Sequence, residues 1–233
     1  MDDVQSVAWE QCVSYPDASR QTPQDWRIAL HSLLGRLPKH IASHLHGLAI
    51  DGTSATVLLS HSNLAPLGAA LPYNDNRAKQ QAGQLMAIAP DSLGVCTATS
   101  GLAKFLWLTQ HGSSESAACF LHQADWLTAL LSGQPGISDY HNALKTGYDV
   151  ERLRWPDWIM ALPHAHLLPK VLAPGETIGY IQPDIAAHFG IHPQCVIRAG
   201  TTDSTAAFIA ADVHEPGIGV TSLGTTLVLK QLS

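Results

Sequence analysis

The sequence predicts an α/β protein with a mixed central sheet of about five strands and helices on its faces. Three observations carry this. Short β-rich runs alternate along the chain with longer stretches of helical periodicity, the pattern of layered α/β domains. Apolar residues make up 45% of the 233 residues, enough for a sizeable core. Near the C-terminal end, Val196-Ile197-Arg198 leads through small residues into an Ala-rich run ending at Ala211, which reads as strand, tight turn and helix.

Taken in order, residues 4–15 alternate roughly between polar and apolar and read as a strand closed by Pro16-Asp17. Residues 24–36 read as a helix. Trp26, Ile28, Ala29, Leu30, Leu33, Leu34 and Leu37 are its apolar positions, Asp25, Arg27, His31 and Arg36 its wet side, and Pro23 suits its start. Leu48-Ala49-Ile50-Asp51 is a short buried strand ending in an acid, and Gly52-Thr53-Ser54 turns it into a second strand, Ala55 to Leu59. Tyr73-Asn74-Asp75-Asn76-Arg77 is a polar loop before a helix that runs through Met86; its amides and carboxylates suit a hydroxyl-rich ligand or a solvated cap. Thr99 to Leu108 forms a helix with Leu102, Phe105 and Leu106 on one face, and Lys104 and Trp107 take structural roles. Trp126, Tyr140, Tyr148, Trp155 and Trp158 cluster in sequence as core aromatics, with a stacking platform as the alternative. The proline-rich stretch from Pro163 to Gly179 is a loop leading back to the strand before Asp203.

That strand ends in the corner Ala199-Gly200-Thr201-Thr202-Asp203-Ser204. Gly200 frees the backbone to bend, and Thr202, Asp203 or Ser204 caps the following helix. An acid is thereby held at the carboxyl end of a strand, where ligands of α/β folds gather, although a plain capping role is the alternative. Gly219 to Lys230 reads as two β runs joined by Leu223-Gly224-Thr225-Thr226. A glycine beside a threonine at such a turn presents N–H groups and a hydroxyl to a phosphate, or simply closes a hairpin.

Composition excludes several classes. A formal net charge of -6 with 14% charged residues leaves no nucleic-acid footprint. Apolar runs are interrupted well before bilayer length, and the acidic start Met1-Asp2-Asp3 is unlike a signal peptide, so the expected location is the cytoplasm and no membrane partner is expected. Cys12, Cys96, Cys119 and Cys195 show no C-x-x-C spacing and read as free thiols. His40, His44 and His46, and the pair His164 and His166, lack a carboxylate or cysteine at ligand spacing, so no metal site is assigned.

The segments Ala199-Gly200-Thr201-Thr202-Asp203-Ser204 and Thr221-Ser222-Leu223-Gly224-Thr225-Thr226 together resemble the FGGY carbohydrate kinases, most closely their xylulose kinase and D-ribulose kinase branch. Ala49 to Ser54, Tyr73 to Arg77, Thr99 to Trp107, Gln123 to Leu127 and Ser138 to Lys145 agree with that family in order and cover nearly the whole chain. The resemblance implies two domains of the actin-like, RNase H-like ATPase fold with sugar and ATP meeting between them. It divides the chain into residues 1–212, an incomplete N-terminal sugar-binding domain, and 213–233, the start of the C-terminal nucleotide-binding domain. It implies ATP-dependent phosphorylation, with Mg²⁺, of a pentulose such as D-ribulose or D-xylulose. By resemblance Asp203 is the base that accepts the sugar hydroxyl proton. Ser54, Asp51, Asn74, Asp75, Asp139 and Asn142 are the sugar-side residues, and Thr202, Gly224 and Thr225 the phosphate-side ones.

One departure matters. The family's first phosphate motif, Asp-x-Gly-Thr, belongs before the strand at Val4 to Val13 and is missing there, while Asp51-Gly52-Thr53-Ser54 aligns with a later, sugar-side turn. The expectation is therefore a chain truncated at both ends and inactive alone, with a sugar-binding remnant or an interaction module as alternatives. The apolar run from Leu227 to Leu232 is expected to promote self-association.

Overall fold

Thr22 begins the first helix with a reciprocal pair of hydrogen bonds: its hydroxyl accepts from the Asp25 N–H, and the Asp25 carboxylate accepts from the Thr22 N–H. With Pro23 in the first turn, α1 (Pro23–Arg36) forms where the periodicity places it. The computed structural model describes residues 7–17, 20–89, 91–92, 94–112, 114–213, 215–223 and 227–231. After α1 come α2 (Lys39–Ala42), β1 (Gly47–Leu48), β2 (Asp51–Gly52), β3 (Val57–Ser60), α3 (Lys79–Ile88) and α4 (Gly101–His111). They are followed by β4 (Cys119–His122), α5 (Gln123–Ser132), β5 (Ile137–Asp139), α6 (Tyr140–Leu144) and α7 (Asp157–Met160). The chain continues through β6 (Lys170–Leu172), β7 (Thr177–Tyr180), α8 (Pro183–Phe189), β8 (Val196–Arg198), β9 (Thr201–Thr202), α9 (Asp203–Ile209), β10 (Gly219–Leu223) and β11 (Leu227–Gln231).

The β3–β4 ladder shows why the layers stack. Val57 pairs with His122 and Ser60 with Cys119 in an antiparallel register, and every residue of both strands is buried. Successive side chains point to opposite faces. Val57, Leu59 and Phe120 enter a core with Leu85, Leu102 and Phe105. Leu58 and Leu121 enter a second core with Trp26 and Trp126, whose rings meet edge to face at 6.2 Å. Helices therefore cover both faces, and a third cluster of Leu131, Ile181, Ile191 and Ile197 extends the core under β8.

The α/β class and its mixed pairing match the expectation; the extent of the sheet does not. Among the described residues the largest sheet has three strands, β1 beside β8 beside β7, and β2–β9, β3–β4, β5–β6 and β10–β11 form separate pairs. Several of these strands are only two or three residues long, too short to be knitted into one ladder. Residues 7–15, the described part of the strand expected over residues 4–15, adopt no strand: Val7 is 81% exposed, and among the described residues no strand pairs with them. At the other end β10 and β11 do pair antiparallel, with Gly219 opposite Gln231. No helix among the described residues is long and apolar enough to cross a membrane.

Candidate active site

Two short strands build the centre of the site. β2 runs parallel to β9, with Asp51 opposite Thr201 and Gly52 opposite Thr202. Their carboxyl ends point the same way, so the Thr53-Ser54 turn emerges beside the corner that carries Asp203 and Ser204. The approach is made possible by Gly200, whose backbone is not left-handed; a Cβ there would lie 1.8 Å from the Ile50 carbonyl oxygen. Close packing of two backbone segments, and not the conformational freedom read from the sequence, is what demands glycine at this position.

Asp203 opens α9, is exposed, and its Oδ1 accepts from the Ser204 N–H at 2.6 Å. The cap position is Thr202, which makes no side-chain cap hydrogen bond. Thr202 is 3% exposed and its hydroxyl shares a hydrogen bond with the Thr205 hydroxyl at 2.9 Å. Lys230, on β11, donates to the carbonyl and hydroxyl oxygens of Ser204. Burial and the neighbouring Lys145 lower the Lys230 ammonium below its ordinary range, while Asp203 opposes the shift. The sequence reading missed this lysine because nothing local marks a strand residue that folds back over a helix start.

Beneath the corner lies α6. Asp139 caps it, one carboxylate oxygen accepting from the N–H groups of His141 (2.8 Å) and Asn142 (3.0 Å) and the other from Asn142 Nδ2 (2.7 Å). Asn142 Nδ2 also donates to the Thr201 carbonyl at 3.2 Å, and His141 Nδ1 meets the Thr201 hydroxyl at 2.7 Å. Asp139 and Asn142, expected at the sugar, are thus 2% and 0% exposed and stand behind β9, holding it. Burial, helped by the charge of Asp125, raises the Asp139 carboxyl above the usual carboxylate range against the opposing bonds from Asn142. Asp139→Ala removes the cap and the Asn142 bond together. The expected cost is about 2 kcal/mol, read as a thermal midpoint lower by roughly 4–8 °C.

Two buried polar atoms near this corner lack a hydrogen-bond partner among the described residues: the Asn142 Oδ1 acceptor and the Ser54 hydroxyl. Buried polar atoms are normally satisfied, so such orphans mark places where a water or a ligand hydroxyl fits. Thr53, next to Ser54, is fixed by Gln123, whose Oε1 accepts from both the Thr53 N–H (3.0 Å) and its hydroxyl (2.6 Å). Gln123 belongs to the Gln123–Leu127 segment that carries the resemblance, but its bond to Thr53, 70 residues away in the chain, has no local signal.

The loop of residues 73–77 is tied to the residues after Ser54, the Tyr73 N–H donating to the Thr56 hydroxyl at 2.9 Å. Asn74 is exposed; Asp75 is half-buried and ion-paired with Arg77 at 2.7 Å, and the Arg77 guanidinium lies 4.9 Å from the Trp107 ring centre. Burial works against ionisation of Asp75, but the bonds and charge of Arg77 outweigh it and hold its carboxyl below the usual range. Gly224 and Thr225 lie outside the described residues. A cavity of about 380 Å³ flanks the corner, lined by Asp51, Gly200, Thr201 and Ile209 among others. Among the described residues no three His, Cys, Asp or Glu side chains stand together as a metal site.

Residues 3–210 match the family model for the N-terminal domain of the FGGY carbohydrate kinases. A xylulose kinase of Streptomyces coelicolor is 29% identical, the match covering 92% of this chain and 46% of that protein. A ribulokinase of Shouchella clausii is 25% identical, over 94% of this chain and 46% of that protein. Among solved structures, a xylulose kinase from Rhodospirillum rubrum superposes with a TM-score of 0.76 at 22% identity over 91% of this chain and 47% of its own. A gluconate kinase from Lactobacillus acidophilus gives 0.79 at 18% identity, over 93% and 47%. These structures share the fold. The chain spans about half the length of the curated relatives it matches.

Proposed function

Because the chain belongs to the FGGY family of carbohydrate kinases, we propose that it forms the sugar-binding part of a phosphotransferase that phosphorylates a pentulose, D-ribulose or D-xylulose. The observation that carries the reading is the pairing of Asp51 with Thr201, which puts the Ser54 turn and the Asp203 corner at one edge. A hydroxyl-rich ligand there meets the exposed carboxylates of Asp51 and Asp203 and the unpartnered Ser54 Oγ, a mix of acceptors and a donor suited to sugar hydroxyls.

In this reading Asp203 takes the proton of the attacking hydroxyl, and β9, held from behind by Asn142 and His141, fixes where that carboxylate sits. Asn74 and Asp75 line the rim. The phosphoryl donor is ATP accompanied by Mg²⁺. The Lys230 ammonium on Ser204 supplies a positive charge beside Asp203, which fits an incoming phosphate, and Gly224 and Thr225 are proposed to touch it. The cytoplasm is the proposed location.

Calorimetric titration tests the sugar half. The 233-residue chain is expected to bind one of the two pentuloses with saturable 1:1 stoichiometry and to bind glycerol and gluconate more weakly. Tighter binding of gluconate, or binding of none of these, contradicts the reading. The exposed Leu229, at 71%, supports self-association through β11. Light scattering across a dilution series is expected to show concentration-dependent mass, relieved by Leu229→Lys; a clean monomer at high micromolar concentration contradicts it.

A further inference from the structure

Lys104 lies on α4 and is 0% exposed, one of the largest fully buried side chains described. A buried ammonium is costly unless each of its N–H groups finds an acceptor. Here Nζ donates to three backbone carbonyls: Ala55 at 2.9 Å, Pro72 at 2.7 Å and Tyr73 at 3.1 Å. These acceptors belong to separate loops. Ala55 closes the turn that carries Ser54, while Pro72 and Tyr73 open the rim loop that carries Asn74 and Asp75. A second tie runs alongside, the Tyr73 N–H donating to the Thr56 hydroxyl at 2.9 Å.

Ala55 itself has a φ of 59°, a left-handed backbone that a residue with a Cβ keeps only when its surroundings hold it. The Lys104 bond to its carbonyl is such a hold. A methionine of similar length would fill the same space on α4 without burying a charge, so what the lysine adds is the three-way tie.

We propose that Lys104 is a positioning residue that locks the Ser54 turn and the Asn74–Asp75 rim into one rigid ledge for the sugar, a role that rests on the sugar-kinase reading above. Lys104 touches no reacting atom; it acts through the loops it ties. Burial pushes its ammonium down to about 8, opposed by the charge of Asp75, which is itself paired with Arg77. Below that pH all three N–H donors are present. Above it the neutral amine has two, and one carbonyl loses its donor.

Carbon-detected spectra of the 233-residue chain from pH 6 to 10 test the tie. The carbonyl resonances of Ala55, Pro72 and Tyr73 are expected to shift together with one midpoint near 8, and the shift is expected to vanish in Lys104→Met. In that variant the resonances of residues 53–56 and 73–77 move while those of β3 and β4 stay, and the pentulose dissociation constant rises about 10- to 100-fold. A lysine that merely fills the core predicts a lower melting temperature with unchanged loops and unchanged affinity, and that result overturns the proposal. If Lys104→Met does not fold, the pH series on the unsubstituted chain decides: three carbonyls that do not titrate together overturn it. Absence of pentulose binding by the unsubstituted chain, with the joint titration intact, sinks the sugar reading and not the tie.

Discussion

Gly200→Ala is expected to be among the most damaging single-methyl additions in this chain. The new Cβ would stand 1.8 Å from the Ile50 carbonyl oxygen and 2.8 Å from its carbon, both backbone atoms that no rotamer change can move. Relief requires β2 and β9 to separate, which breaks the pairing of Asp51 with Thr201 and of Gly52 with Thr202. Overpacking against side chains typically costs about 1–3 kcal/mol, and a backbone clash belongs at or above the upper end. At about 3 kcal/mol the thermal midpoint falls by roughly 6–12 °C for a chain of this length. Hydrogen exchange should show residues 50–54 and 200–204 losing protection first, with β3 and β4 keeping theirs. A midpoint within 1 °C or so of the parent would mean that this close approach is not needed.

Asp203→Asn is expected to have the largest effect on chemistry. The substitution keeps the shape of the corner and an oxygen for the Ser204 N–H, so the fold should hold. It removes the proton acceptor. In an enzyme of the relatives' full length carrying this chain, kcat should fall by about 10²–10⁴, the usual worth of a positioned general base, while KM for the pentulose changes several-fold at most. A rise in KM with kcat unchanged would assign Asp203 to binding alone.

Much of the fold was legible because local chemistry dictates it. The Thr22-Pro23-Asp25 cap set α1, Ser100 accepts from the Ala103 N–H at the start of α4, and the Gly200–Ser204 corner turned from strand to helix as read. What was not legible depends on partners far away in sequence. Alternation in residues 7–15 resembles a strand but has no neighbour, and the short pairs β2–β9 and β5–β6 join segments that periodicity cannot relate. The same limit governed the site. Asp51 and the corner before Asp203 meet through the β2–β9 pairing, and Asn142, bonded to Asp139, holds the Thr201 carbonyl of β9 from behind. Gln123, Lys104 and Lys230 act through bonds to backbone in distant loops, and no local motif records such bonds. The burial of Lys104 agrees with a structural role; that it ties two candidate sugar loops together emerges only from its three carbonyl partners.

The edge formed by the Ser54 turn and the Asp203 corner is where a pentulose is expected to bind. A titration of the ¹⁵N-labelled chain with D-ribulose and D-xylulose, followed by amide shifts, tests this most directly. The predicted result is a saturable shift of Thr53, Ser54, Asn74 and Thr201 to Ser204 by one of the two sugars, weakened in Ser54→Ala. Shifts that gather instead around the cavity between Leu37, His40, His188 and Phe189, or no saturable shift with either sugar, would contradict it.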